Sequence, residues 1–433
     1  MPITELKFSN FKSFKDVQID LNNFNVLIGK NASGKSNFVQ IFRFLRDLAR
    51  NNMEVAISNQ GGIEYLRNVK LDNDQNFSIE LTSNKQFKFP IEVKNDKFYL
   101  AKVYELKYKL EIKFTDQRPE YKISNEHVKF ESDFHNLNPD YSSTVVMYDD
   151  DEDMGDKIGE GTIVLSNKCG KINLELKNTK STINTEIPFD SDDIIPRSIL
   201  NLIEGVTKEN PIIPLLDTPL AGLPVNWISI FTDVALYDFD PKSSKSTSKH
   251  TINKLQENGE NLAFIIQHIK DDAESERKFL NLLQDLLPFI DNVSVESFYD
   301  KSLMILLKEK YFEKNLPSSN ISDGTINILD LILALYFEKE KFIIIEEPER
   351  NVHPNLLSKV VEMMKDSSIN KQIIITTHNP EILRYSNNDD IYFVDRDEKG
   401  FSTICKPSEI EDLQNLLDEI GIEELYIDNM ICK

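Results

Sequence analysis

Apolar positions in the first fifty residues change their spacing twice. From Ile3 to Leu21 they predict two strands around a turn, and Phe24–Ile28 (FNVLI) is the unbroken apolar run of a buried strand. From Asn37 the spacing becomes helical, with Phe38, Ile41, Phe42, Leu45 and Leu48 on one face. The opening is therefore strand, loop, helix. Between Phe77 and Phe114 the period is two. Leu106, Tyr108, Leu110, Ile112 and Phe114 alternate with Lys107, Lys109, Glu111 and Lys113, predicting a half-buried antiparallel strand. Thr115 to about Pro188 reads as polar and irregular, with short strand-like pieces at Gly161–Leu165 and Lys171–Leu176. Ser198–His268 carries several prolines and then a helical stretch, and Ser243–Lys249 (SSKSTSK) reads as a flexible loop. Asn261–Ile290 predicts two short helices meeting near Asp272, and Val293–Tyr311 a β-hairpin. There is no internal repeat and no sustained heptad pattern.

Composition narrows the class. A chain of 433 residues can form two or more cores, or one large core with an insertion. No segment approaches the ~18 consecutive apolar residues of a membrane span. Met1–Asn10 lacks the basic start and apolar middle of a signal peptide, and Cys169, Cys405 and Cys432 are too scattered to indicate a disulfide framework or a zinc site. A cytoplasmic location is expected. Seventy-two acidic against fifty basic residues give a net charge of −22, which repels polyanions at long range. Arg43, Arg46 and Arg50 form either a local basic patch or a solvated helix face. The run Asp149, Asp150, Asp151, Glu152, Asp153 reads as a solvated loop rather than a metal site, because consecutive carboxylates repel.

Four motifs carry chemistry. Gly29, Lys30, Asn31, Ala32, Ser33, Gly34, Lys35 and Ser36 fit GxxxxGK[ST] between a predicted strand and helix, the context a phosphate-binding loop requires. There, backbone N–H groups at the positive end of a helix surround the β-phosphate, Lys35 reaches the β- and γ-phosphates, and Ser36 ligates Mg²⁺. Phe342–Glu349 (FIIIEEPE) ends an apolar strand in two carboxylates, Glu346 toward Mg²⁺ and Glu347 toward the attacking water. Ser322-Asp323-Gly324-Thr325 precedes the apolar helical run Ile326–Phe337, so Ser322 is a helix cap, a phosphate-binding group, or both. Ile373–Thr377 is a further buried strand ending in His378-Asn379-Pro380; His378 is either a structural histidine at a strand end or, as the resemblance to the switch-histidine loop of ABC-type ATPases implies, the group that senses the γ-phosphate. His353-Pro354 follows the acidic strand as a subunit-contacting or a packing turn.

The order of these motifs resembles an ABC-type ATPase head, with Ser322-Asp323-Gly324-Thr325 as the signature loop and Ile321 in place of its usual leucine. The long interruption between Gly29 and Ser322 resembles the SMC, RecF and OLD-like group rather than transporter cassettes. Leu6–Phe14, Tyr237-Asp238-Phe239-Asp240-Pro241 and Asn258-Gly259-Glu260-Asn261-Leu262-Ala263 resemble the stand-alone ATPases of that group. The resemblance implies an α/β P-loop ATPase head with an antiparallel β lobe and an inserted α+β arm, divided as 1–114, 115–290 and 291–433. It implies ATP and Mg²⁺ as ligands, and a homodimer or higher homo-oligomer in which Ser322 and Gly324 close the partner's ATP site. It also implies a separate nuclease or toxin effector in antiviral defence. Glu346 departs from the group's usual Asp at that position. After His378 the acidic constellation of a Toprim nuclease is lacking, and Leu413–Met430 reads as a helical tail. For the metal-binding glutamine of the Q-loop the candidate is Gln60, beside Gly61-Gly62, with a surface loop the other reading. The rival function is a RecF-like repair ATPase that binds DNA directly.

Overall fold

The computed structural model describes residues 3–72, 74–93, 97–115, 120–137, 154–168, 171–181, 211, 229–246, 252–299, 301–409 and 421–427. In chain order its main elements are β1 (Ile3–Phe11), β2 (Phe14–Asp20), β3 (Phe24–Ile28), α1 (Lys35–Arg50), α2 (Met53–Asn59) and β4 (Phe77–Ser83). β5 (Phe87–Val93), β6 (Lys97–Phe114), β7 (Tyr121–Leu137), β8 (Met154–Lys168), β9 (Lys171–Ser181) and β10 (Val234–Tyr237) follow. Next come α3 (Leu262–Lys270), α4 (Ala273–Leu286), β11 (Ile290–Ser297), β12 (Leu303–Glu309), β13 (Leu316–Pro317), α5 (Asp323–Tyr336) and β14 (Phe342–Glu346). The last are α6 (Pro354–Ser368), β15 (Gln372–Thr377), β16 (Ile391–Arg396) and β17 (Ser402–Cys405). The chain divides into two compact units. The first comprises Met1–Leu21, Asn37–Val234 and Arg396–Thr403, and the second Asn22–Ser36, Ala235–Asp395 and Ile404–Lys433.

The first unit is antiparallel, with strands ordered β2-β1-β4-β6-β7-β8-β9 and β5 paired to β6. Phe8, Phe11, Phe14, Phe38, Phe42, Phe44 and Phe77 pack there with ring centroids 5.3–6.2 Å apart, mostly edge to face, the arrangement aromatic quadrupoles prefer. The expectation of an irregular segment after Thr115 is corrected. β7 runs for 17 residues, β8 for 15 and β9 for 11, in one continuous ladder with β6. Their buried face carries Val128, Phe130, Ile163 and Leu165 together with the buried polar residues Glu126, Ser132 and Asn167, while the other is held by polar pairs. Among these, Lys157 lies 2.8 Å from Asp133, and the Thr162 hydroxyl donates to Glu131 at 2.7 Å. Those polar residues lower the average hydropathy and hide the alternation. The division expected at residue 114 falls where β6 turns into its own partner β7.

The second unit holds a sheet ordered β10-β14-β15-β3-β16, parallel from β14 to β16. β14 pairs with β15, and β15 and β16 each pair with β3, all parallel. With neighbours on both edges and cover on both faces, β3 is buried at all five positions and reads as a purely apolar run. The predicted hairpin forms as β11–β12, and the two predicted helices as α3 and α4, with Asp272 capping α4 by accepting from the Ser275 N–H at 3.0 Å. Ser243 and Ser244 are not loop but part of a helical turn, Pro241–Ser244, capped by Asp240. Cys405 is disulfide-bonded, which the scattered cysteines did not predict. Asp149–Asp153 lies outside the described residues, as does most of Leu413–Met430 apart from the turn Ile422–Ile427. Among the described residues no helix is long and apolar enough to cross a membrane.

Candidate active site

Three parallel strands deliver the candidate groups to one end of the second unit's sheet, as expected for sites at the carboxyl ends of parallel strands. β3 runs straight into the loop Gly29–Ser36. The Gly29 N–H donates to the Thr377 carbonyl at 3.3 Å. A Cβ on Gly29 would stand 2.2 Å from the Val394 carbonyl oxygen, so only glycine allows the loop to leave the sheet there. Ala32 (φ 62°) and Gly34 (φ 125°) take left-handed conformations that fold the loop back on itself. Lys35 is 8% exposed, and its ammonium donates to the carbonyls of Gly29 (2.5 Å) and Lys30 (3.0 Å). Burial lowers its pKa, and the nearby charges of Glu347, Glu349 and Glu346 oppose that shift. Beside it the Ser36 hydroxyl donates to Glu346 Oε2 at 2.7 Å.

Glu346 ends β14, and Glu347 turns sharply out of the strand with φ 47°, a conformation that costs a non-glycine residue about 1–3 kcal/mol and clusters at functional sites. Its N–H donates to the Thr376 carbonyl at 2.8 Å. His378 Nδ1 lies 2.8 Å from Glu347 Oε1, and Arg350 donates to Oε2 at 3.2 and 3.4 Å. Burial pushes Glu347 up, but the bonds and charges of His378 and Arg350 outweigh it and hold the carboxyl below its usual range. An ionised carboxylate only accepts, so His378 donates through Nδ1 and turns Nε2 outward. Behind them, buried Glu349 accepts from the Thr377 hydroxyl, which in turn accepts the Asn379 N–H at 2.9 Å. Burial raises the pKa of Glu349, partly offset by the Thr377 bond. The turn after β14 is thus tied to the loop after β15.

Ser322 caps α5, its hydroxyl accepting the Thr325 N–H at 3.2 Å and lying 2.8 Å from the Thr325 hydroxyl. A Cβ on Gly324 would meet the Asn351 carbonyl oxygen at 2.3 Å. Asn327, buried in the first turns of α5, donates to the Pro348 and Arg350 carbonyls, both at 2.9 Å. The serine-glycine loop and the turn after the acidic strand therefore pack as one piece. His353 caps α6 at the Asn355 N–H (3.2 Å), with Pro354 at the first helical position. Gln60 lies in the first unit, where its buried side-chain amide has no hydrogen-bond partner among the described residues.

The structure thus brings Lys35, Ser36, Glu346, Glu347 and His378 together in one unit. Thr377, Glu349 and Asn327 were not expected from the sequence as site residues, and Arg350 only as the start of the subunit-contacting or packing turn that runs to His353. Asn327 was findable as the polar residue inside the apolar run Ile326–Phe337, whereas Thr377 and Glu349 carry no such signal.

The donor set suits a triphosphate with a hard divalent ion. Lys35 is a buried cation satisfied by carbonyls alone at hydrogen-bonding distance, so its charge is available to phosphate oxygens. Ser36 and Glu346 offer two oxygens side by side, and among the described residues no cluster of three or more His, Cys, Asp or Glu side chains would hold a metal unaided. That matches Mg²⁺, which takes few protein ligands and fills its shell with water and phosphate; when bound there it would neutralise charge building on the phosphates.

A phosphate loop between a parallel strand and a helix, with an acidic strand and a histidine loop beside it, defines a P-loop ATPase of the ABC type. The chain belongs to the family described as "AAA domain, putative AbiEii toxin, Type IV TA system", matched over residues 24–160 and 235–384. It is similar to Endonuclease GajA of Bacillus cereus (strain VD045), 24% identical over 413 residues, and covers 92% of this chain but only 59% of that protein's length. Similar solved structures include an SMC head bound to the C-winged helix domain of ScpA, at 15% identity and TM-score 0.44 over 94% of this chain and 98% of that one. The SMC head domain from Thermotoga maritima is similar at 12% identity and TM-score 0.38, over 94% and 99% of the two chains.

Proposed function

We propose that the protein hydrolyses Mg²⁺-ATP at sites shared between two copies of itself, and that its output is carried by a separate nuclease or toxin effector of an antiviral defence system. The observation that carries the hydrolytic reading is the Glu347–His378 pair beside Lys35 and the Ser36–Glu346 couple. Lys35 and the loop amides bind phosphate, Ser36 and Glu346 hold the ion, Glu347 orients the attacking water, and His378 presents Nε2 to the γ-phosphate. Ser322 and Gly324 stand at the start of α5, whose unpaired N–H groups suit an anion supplied by a second copy. Gln60 is kept as a metal-ligand candidate, and of the arm expected at 115–290 the part up to Val234, which belongs to the first unit, as the segment that meets the effector. The family's toxin description and the endonuclease similarity support the defence setting.

The test is Glu347→Gln, which keeps shape but removes the base. With ATP it is expected to accumulate as a dimer by size-exclusion chromatography with light scattering, with turnover lost. Wild-type turnover in that variant would remove Glu347 from the mechanism. A second reading, direct DNA binding, draws on one feature of the first unit: a cavity of about 550 Å³ lined by Lys12, Arg67, Lys70 and Arg396 among others. Salt-sensitive DNA binding near physiological ionic strength without a partner would favour it.

A further inference from the structure

Tyr237–Pro241 and Asn258–Ala263 take no part in the chemistry proposed above, yet they are bonded to each other and reach the candidate catalytic glutamate. The Asp238 N–H donates to the Glu257 carbonyl at 2.9 Å, and the Asp240 N–H to the Asn258 carbonyl at 3.2 Å. Gly259 (φ 78°) fits against Ser244 and Asp330, where a Cβ would stand 2.2 Å from the Ser244 hydroxyl. On this double segment sits Arg350. Its guanidinium lies 3.1 Å from Asp238 Oδ1 and donates to the Phe239 carbonyl at 3.3 Å, while its other edge holds Glu347 Oε2 at 3.2 and 3.4 Å. One side chain thus bridges the double segment and Glu347.

We infer that Arg350 is a brake on Glu347, set by the Tyr237–Asp240 segment and released when that segment moves away from the guanidinium. The inference rests on Glu347 as the residue that takes the proton of the attacking water, while the water oxygen bonds to the γ-phosphorus and the bridging oxygen leaves on ADP. In that step Glu347 loses its negative charge. An ion pair with Arg350 is strongest before the step and weakest after it, so it favours the ground state over the transition state and slows the reaction. The forked contact also pins the carboxylate from one side while His378 holds it from the other. Arg350 is a positioning residue in this account, since it acts only through Glu347.

The experiment compares steady-state ATP hydrolysis of the full chain with Arg350→Gln, Arg350→Lys, Asp238→Asn and the double variant Asp238→Asn/Arg350→Gln. Arg350→Gln is expected to raise kcat by about two- to fivefold, the size of a partly exposed ion pair, with KM for ATP unchanged. Asp238→Asn loosens the anchor on a largely exposed side chain without touching Glu347, and is expected to give a smaller rise. The double variant should match Arg350→Gln alone, because both changes act through one contact, and Arg350→Lys should fall between wild type and Arg350→Gln. Equal or lower kcat in both Arg350→Gln and Asp238→Asn, with Glu347→Gln inactive, overturns the brake while leaving the hydrolytic site intact. An active Glu347→Gln overturns the site itself. If Arg350→Gln fails to fold, Asp238→Asn decides alone.

Discussion

Replacing Asn327 with alanine tests whether α5 and the turn after β14 act as one body. Its side-chain amide donates two hydrogen bonds of 2.9 Å, to the Pro348 and Arg350 carbonyls on either side of Glu349. Alanine leaves both acceptors without their donor. The Pro348 bond is buried, so its carbonyl bears a desolvation penalty of about 1–3 kcal/mol; the Arg350 carbonyl is partly reached by water and costs roughly half as much. The expected loss is about 2–4 kcal/mol of unfolding free energy. Turnover should fall as well, because the same turn fixes Glu347 at φ 47°. Urea unfolding measures the first quantity, and steady-state hydrolysis the second, with kcat falling more than KM rises. Aspartate at the same position, which presents a carboxylate to two carbonyl oxygens, should be worse than alanine. An Asn327→Ala protein within about 0.5 kcal/mol of wild type, with full kcat, would show that the two bonds do not hold the turn.

Lys35→Ala removes the buried cation and should weaken ATP binding by about ten- to a hundredfold, the range for charged hydrogen bonds, as read by calorimetry; unchanged affinity would place the phosphates elsewhere. Gly324→Ala puts a methyl 2.3 Å from the Asn351 carbonyl oxygen, forcing a shift that should cost about 1–3 kcal/mol and lower kcat; a wild-type melting curve and rate would mean the contact is slack. Burial, followed by the charge of Glu340, pushes Glu338 from 4.5 up to about 7. A carboxyl raised on folding gives stability that is full below its unfolded pKa and lost as pH rises to its folded one. Wild type should therefore lose stability between pH 4.5 and 7 relative to Glu338→Gln, which can still accept the Leu255 N–H. With Glu338 only half-buried and Glu340 shifted down, the difference is on the order of 1–2 kcal/mol. Parallel melting temperatures at pH 5 and 8 would contradict it.

The parallel core was legible because burial on both faces leaves no choice of residue: Phe24–Ile28, Phe342–Ile345 and Ile373–Ile375 are apolar without interruption. The phosphate loop was legible because its turn demands glycines at fixed places. The strands after Thr115 were hidden by the charged residues of their polar face, and β10 by its brevity. The ties that set the site were harder. Arg350 and Glu347 are three residues apart, but the second anchor of Arg350, Asp238, lies more than a hundred residues away in the chain, and no local pattern carries that distance. Asn327 is different, since an amide placed in an apolar stretch must find partners, even though the sequence does not name them.

β3, β14 and β15 stop within a residue of one another, with Ile28 level with Thr377 and Glu346 level with Thr376. The intervals between the phosphate loop, the acidic pair and the histidine are therefore set by inter-strand steps of about 4.8 Å, whatever length of polypeptide connects them. The β6–β9 ladder, which lies between β3 and β14 in the chain but carries none of the contacts named above for Glu347, can be exchanged, lengthened or drawn from another gene without retuning the chemistry. A chimera with a foreign arm should keep its hydrolytic centre while answering to a different signal.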